Sequence, residues 1–438
     1  MSYTLSKIIN LKKDFLYSKS SLTFKLISFL FVILPFTLIT GPFLPDLILS
    51  IIALYFLIYS FRNKLINYYK SKIVLIFCFF YFHILISGIM SDYPYESLIG
   101  YNGPIFFFRY LFFILGIKFL LSTNPRLLNI FCLSLIATLS FTIIDGYLQW
   151  ITGSNILGFT PTNTRISGIF NDEQILGHFL SHIVPLAMGL LVYLYGSSKK
   201  QIILIIIFLV LSEILIFITN DRSGFLKIFQ FSLLIIFLSN NFKLFRLISF
   251  GITLAIITFI LNTSNSSKER YSGTVSEISS TSVPYMPMTI HHESHYKIAF
   301  NMFKEKPIIG KGPQSFRILC DRNIEYQQKK GCTNHPHNYY FQTLAELGLI
   351  GLGLLTSIFF YLSYILLKQF IYLWIKKNHK SSLLPDHLVI LFSLILVLFW
   401  PIIPHQSFYN NWLNVIIFLP IGFLLFFLKQ NDKLPKQK

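Results

Sequence analysis

The chain has 438 residues, of which 54% are hydrophobic and only 13% charged. That balance excludes an ordinary soluble globular domain, where about a quarter of residues are charged. The formal net charge of +19 would suit a nucleic-acid binder, but its distribution along the chain excludes that class.

Apolar runs near the ~20 residues that a helix needs to cross a bilayer recur throughout. Lipid offers no partner to an unpaired backbone group, and runs apolar on every face cannot alternate as barrel strands do. The expected fold is all-α: a polytopic integral membrane protein with about twelve transmembrane helices. In chain order the predicted spans are 22–40, 43–61, 72–90, 104–122, 127–150, 173–195, 201–219, 223–239, 244–262, 350–367, 387–403 and 411–428. Lys7, Lys12, Lys13 and Lys19 precede the first span and no small-residue cleavage site follows it, so that helix reads as retained rather than as a signal peptide.

Starting inside and alternating, the inner loops collect Arg62, Lys64, Lys70, Lys72, Lys118, Arg126, Lys199, Lys200, Lys243, Arg246, Lys368, Lys376, Lys377, Lys380 and the lysines of both tails. The short outer loops hold only Arg165 and Arg222. This is the positive-inside pattern. It divides the chain into helices 1–9 with a cytoplasmic N-terminus (1–262), a large periplasmic loop between helices 9 and 10 (263–349), and helices 10–12 with a cytoplasmic C-terminus (350–438).

Three outer features follow one another. Residues 151–172 contain Arg165-Ile166-Ser167-Gly168. Residues 219–223 make a very tight turn, Thr219-Asn220-Asp221-Arg222-Ser223. The long segment opens with a Ser/Asn-rich stretch read as loop, continuing through Ser272–Met288 without clear period. From His292 the pattern turns helical, with Tyr296, Ala299, Phe300 and Phe303 forming an apolar stripe that Pro307 ends. Cys320 and Cys332 lie twelve positions apart in this outer segment. A disulfide between them would contribute about 3 kcal/mol on the chain-entropy model, and free thiols are the alternative. Asn338 is a good N-cap for a surface helix over Tyr339–Leu347, with Gly348 and Gly351 bending it into the tenth span.

The residues able to carry chemistry gather on this outer side. Arg222 joins two spans through almost nothing, so its guanidinium lies at the membrane boundary, where an ionisable group is costly and usually functional. Snorkelling to lipid phosphate or pairing with Asp221 is the alternative. With Arg165 and Arg270 it supplies the fixed, forked charge that binds phosphate. His337 is the candidate general base, since an imidazole titrates near neutrality; His335, His292, Asn338 and Glu346 are its supporting company. His291, His292, His295, His335 and His337, with His178 and His182 at i, i+4, offer imidazoles that a metal could use. His292-Glu293-Ser294-His295 is one residue short of the HExxH zinc spacing and no carboxylate cluster completes a site, so no metal and no cofactor are expected.

Pro307-Ile308-Ile309-Gly310-Lys311-Gly312-Pro313, His335-Pro336-His337-Asn338-Tyr339-Tyr340 and Glu346-Leu347-Gly348-Leu349-Ile350-Gly351 together resemble the O-antigen ligase family. Arg165-Ile166-Ser167-Gly168 and Arg222-Ser223-Gly224 are similar to its two upstream arginine motifs, and the likeness covers roughly residues 70–430. The resemblance implies a metal-independent glycosyltransferase of the bacterial inner membrane, acting in lipopolysaccharide biosynthesis. Its donor would be a glycan on undecaprenyl diphosphate and its acceptor lipid A–core, with no nucleic-acid partner. It also implies that Arg222 and a loop arginine bind the donor diphosphate while His337 activates the acceptor hydroxyl. Where the family's short helix before Pro307 begins with Arg, this chain has His291 and His292, so the second diphosphate ligand is either Arg270 or one of those histidines. An O-antigen polymerase would use the same donor, as would ligation to a protein side chain. A lipid-linked glycan transporter would instead require internal repeats and mid-membrane charge, of which the sequence has no repeat.

Overall fold

The computed structural model describes residues 21–100, 102–162, 165–196, 198–241, 243–279, 289–323, 326, 331–375 and 383–431. Lys7, Lys12, Lys13, Lys19, Lys376, Lys377, Lys380 and the lysines beyond residue 431 lie outside the described residues, as do the side chains of Lys199 and His291. Among the described residues the chain is helical and contains no strand, only an isolated bridge between Thr162 and Arg165.

A helix stands at each predicted span: α1 (Leu22–Thr37), α2 (Phe43–Arg62), α3 (Lys72–Ile89), α4 (Arg109–Thr123), α5 (Arg126–Thr152), α6 (Leu176–Tyr195), α7 (Lys199–Ile218), α8 (Arg222–Leu238) and α9 (Lys243–Thr263). Between α9 and the next long helix come α10 (Asn265–Ser279), α11 (Ile290–Glu305) and α12 (Ser315–Arg322). Then follow α13 (Tyr339–Trp374), α14 (Asp386–Leu398) and α15 (Asn411–Asn431). Nine of the described helices, α2–α7, α9, α13 and α15, are long and apolar enough to cross a membrane, α4 being counted with the 3₁₀ turn before it as Pro104–Thr123.

That count is lower than the predicted one, for local reasons. The expected span 387–403 ends as a helix at Leu398 after 13 residues. Pro401 and Pro404 follow it, and proline removes a donor and disfavours helical backbone before it. Helix α1 closes after 16 residues, with Pro35 in its last turn and a turn through Thr40 into Gly41, and α8 is 17 residues long. A second difference lies in 263–288, read as loop: residues Asn265–Ser279 are helical. A third is the buried face of α11. Ile298, Ala299 and Met302 pack against Phe316, Leu319 and Cys320 of α12, with Tyr326 and Ala345, whereas Phe300 of the predicted stripe is 43% exposed.

The bundle is built from apolar contacts, α4 lying against α2 and α15, and α6 against α7, α8 and α14. Helices α6 and α15 are the most enclosed of the candidate spans. Arg246, counted above among inner-loop charges, is instead buried inside α9, paired with Glu213 of α7 and bonded to Ser232 of α8. Arg109 likewise pairs with Asp46 at 2.8 Å and is structural. Cys320 and Cys332 form a disulfide with Cα atoms 5.4 Å apart, tying α12 to the segment that precedes α13.

Gly348 lets α13 do two jobs. Its backbone (φ 63°, ψ −161°) breaks the helix between Tyr339–Leu347 and the long apolar part, a conformation that only glycine adopts without strain. The break admits residues 307–312 beside it: Leu349 N–H donates to the Pro307 carbonyl at 2.9 Å and Gly312 N–H to that of Glu346 at 2.9 Å. A Cβ at position 348 would meet the Ile308 carbonyl oxygen at 2.4 Å, whereas one at Gly353, a turn further on, meets nothing within 4 Å. Gly348→Ala is therefore expected to destabilise the protein by at least ~1–3 kcal/mol, while Gly353→Ala should be neutral or stabilising by up to ~1 kcal/mol. Thermal unfolding in detergent checks the pair, and equal melting temperatures would contradict this account of the kink.

Candidate active site

Three arginines from three separate segments meet at one cavity. Arg222 is the first helical residue of α8, and the preceding Asp221 caps that helix, accepting from Gly224 N–H at 3.1 Å and the Ser223 hydroxyl at 2.8 Å. The α8 start can press against α6 because both contacting residues are glycines: a Cβ on Gly224 would lie 2.8 Å from the Gly177 backbone. Arg165 is oriented by Gln174, its Nη1 donating to the side-chain oxygen at 2.8 Å and Nη2 to the backbone carbonyl at 3.1 Å. Its Nη2 is 4.0 Å from Asp221 Oδ1.

Arg270 comes from α10, the helix that hydropathy missed. Ser267, Arg270, Tyr271 and Thr274 recur at i, i+3, i+4 and i+7, a helical face made of polar and aromatic groups instead of aliphatic ones. Tyr271 stacks on Phe217 at 4.7 Å, and Thr274 Oγ1 accepts from Arg222 Nη1. Thus α10 is docked on the α7–α8 corner by the very residues that build the site. That polar i, i+3, i+4 spacing was the available sequence signal.

The opposite wall comes from α11, the start of α13 and the 399–410 segment. Asn338 accepts from the N–H groups of Tyr340 and Phe341, and its Nδ2 donates to the Pro401 carbonyl at 2.7 Å. Tyr340 donates to the Phe399 carbonyl at 2.6 Å. His337 has φ 56°, a left-handed conformation uncommon for a side-chain-bearing residue and found preferentially at functional sites. His405 N–H holds it there, donating to the His337 carbonyl at 2.8 Å. The His337 ring lies 4.1 Å from that of His335, 5.3 Å from His295 and 5.8 Å from His292. Burial, with His295 adding repulsion, lowers the His337 pKa to about 4, and burial beside His337 lowers that of His335 to about 3. Both imidazoles are thereby neutral at pH 7, the form that accepts a proton. Among the described residues no three histidines, cysteines or carboxylates converge as a metal site.

The cavity measures about 540 Å³ and is lined by Arg165, Asp221, Arg222, Ser223, Arg270, Thr274, Thr289 and His292 on its polar side. Leu226, Tyr340, Phe341, Pro401, Ile402 and Pro404 line the apolar side. This is the size of a small-molecule site. Three guanidiniums face one lining carboxylate, Asp221. Burial lowers the Arg165 pKa, with Asp221 opposing and Arg270 adding to the effect; Glu277, outside the lining, also acts on Arg222. Nε of Arg165 and of Arg270 have no partner. Excess positive charge at a helix N-terminus selects an anion, and the apolar wall beside it suits an amphiphilic one.

Of the residues proposed from sequence, Arg165, Arg222, Arg270, His292 and Asn338 share this cavity. His337 and His335 stand one ring behind His292. Glu346 is placed elsewhere: buried, it accepts from Phe316 N–H at 3.2 Å and from Gln342 at 3.2 Å, pinning the 310–316 turn against α13. Thr289 and the 401–404 segment were not foreseen and carry no local signal; Thr274 was legible only through the α10 spacing, and Tyr296, read as part of an apolar stripe, lines the cavity instead.

Residues 206–356 match the family model described as O-antigen ligase, a stretch that contains Arg222, Arg270, His292, His337 and Asn338. No curated protein matches the chain. Over residues 206–356 the chain is thus similar to the O-antigen ligase family, and its long apolar helices are fit to span a membrane.

Proposed function

We propose that this protein transfers a glycan from undecaprenyl diphosphate to a hydroxyl of lipid A–core at the periplasmic face of the inner membrane, as an O-antigen ligase does in lipopolysaccharide assembly. The observation that carries the reading is the meeting of Arg165, Arg222 and Arg270, against a single lining carboxylate, in a cavity whose other wall is apolar. A lipid diphosphate has both features: an anion for the guanidinium forks and a hydrocarbon tail that stays in the bilayer. In this reading Arg222, Arg270 and Arg165 hold the diphosphate, Arg270 filling the place left by the missing helix arginine. His337 takes the proton from the acceptor hydroxyl, whose oxygen attacks the sugar carbon as the sugar–diphosphate bond breaks. Undecaprenyl diphosphate leaves carrying the added negative charge, which the arginines meet without a metal.

The proposed topology has twelve crossings, both termini cytoplasmic, and 263–349 as the periplasmic unit between 1–262 and 350–438. The lysine-rich loops between alternate helices support it.

Purified protein given lipid-linked glycan and lipid A–core in the presence of a chelator is expected to yield glycan joined to lipid A–core. Lengthened carrier-bound glycan would reassign it as a polymerase, and strict dependence on added divalent metal would reject the mechanism. Arg222→Ala should lower turnover about 10²–10³-fold, as loss of one transition-state charge partner does, and His337→Ala about 10²–10⁴-fold. Wild-type rates in both variants would reject the site.

The depressed His337 pKa gives a pH signature. In the free enzyme the imidazole stays neutral down to about pH 4, so kcat/KM should hold until that range. A bound diphosphate favours the imidazolium and raises the pKa, so the acid limb of kcat should lie at higher pH than that of kcat/KM. Coincident limbs, measured across pH 4–8, would contradict placing the anion beside this base.

A further inference from the structure

One helical turn beyond Ser223, which lines the cavity, lies a buried lysine that the mechanism above does not use. Lys227, in the second turn of α8, is 1% exposed, and its Nζ has no hydrogen-bond partner. Its surroundings supply imidazoles, not acids: His178 and His182 from α6 and His405 from the 399–410 segment all lie close enough to feel its charge. His178 Nε2 and His405 Nδ1 lack partners as well, while His182 Nδ1 is bonded back to the His178 carbonyl at 2.6 Å. The carboxylate whose charge reaches Lys227 is Asp221, and Asp221 is already engaged by Ser223, Gly224 and, at 4.0 Å, Arg165.

A buried lysine without a partner is expensive, and within an apolar bundle such a group marks function. The helix geometry says what it faces. Lys227 is four residues beyond Ser223, hence on the same side of α8, and Ser223 lines the cavity. Long helical side chains lean back toward the N-terminus, which here is the cavity wall made by Arg222 and Ser223. The nearest place where an anion can enter is therefore the arginine cavity itself.

We infer that Lys227 is a positioning residue of the anion subsite, holding a bound diphosphate through its field and drawing its missing counter-charge from that ligand. The inference rests on reading the cavity as a diphosphate site. In so poorly polarisable a setting, charge acts across a helical turn without contact. The effect grows as the leaving diphosphate gains charge, so the residue contributes to turnover as well as to binding.

Inorganic pyrophosphate, titrated calorimetrically into the full-length protein in detergent, tests it, with Lys227→Met, Lys227→Gln and Arg222→Ala compared with wild type. The two Lys227 substitutions differ in polarity, so that failure of one to fold leaves the other. Both are expected to bind pyrophosphate about tenfold more weakly, with an unliganded Tm equal to or above that of wild type, because an unpaired buried charge has been removed. Unchanged affinity in both while Arg222→Ala loses binding overturns the role of Lys227 alone. A Tm loss in both that accompanies the weaker binding makes Lys227 structural and also overturns it. Absence of pyrophosphate binding by wild type sinks the diphosphate reading, and this inference with it.

Discussion

Everything at the functional end of this protein follows from holding like charges together. Arg165, Arg222 and Arg270 repel one another, and the cavity they share contains one carboxylate. Such a cluster persists only where rigid elements over-determine each position. Gln174 fixes the first arginine, the capped start of α8 the second, and the Phe217–Tyr271 stack the third. In the proposed function an anion relieves this repulsion, so that a fixed set of guanidiniums converts electrostatic strain into binding.

The apolar bundle makes this possible by excluding alternatives. Within it Arg246 is paired with Glu213 and Arg109 with Asp46, whereas Lys227 is buried with no hydrogen-bond partner at its Nζ. The facing wall is equally constrained. Asn338 and Tyr340 bond to the 399–410 segment, and the His405 N–H fixes the left-handed backbone of His337. In the proposed mechanism this strained, hydrogen-bonded histidine is the base, and the anion in the arginine cavity is the charge that tunes it.

Much of this was legible in the sequence, because hydropathy and charge are strong signals in a membrane protein. The positions of the apolar helices, and the placing of Arg222 at a tight turn between two of them, follow from span length and from the cost of placing charge at a bilayer edge. The lengths of α1 and α14 did not, since a turn into Gly41 closes the first and Pro401 and Pro404 follow the second before the apolar composition changes. Helix α10 was missed because its face is Ser267, Arg270, Tyr271 and Thr274; a search for aliphatic stripes cannot see it. Glu346 looked chemical by company, yet its carboxylate serves the turn at 310–316, a long-range contact that no local pattern encodes. Lys227 was visible as a charge in an apolar run, but its lack of a partner is a property of the packed bundle.

The most direct test is an experimental density map of the protein bound to a lipid-diphosphate-linked glycan. The account requires the two phosphates to lie among Arg165, Arg222 and Arg270, the lipid to leave along the Leu226–Ile402 wall, and the first sugar to approach His337. Phosphates seated outside that arginine triad, or a sugar pointing away from the histidine cluster, would contradict it.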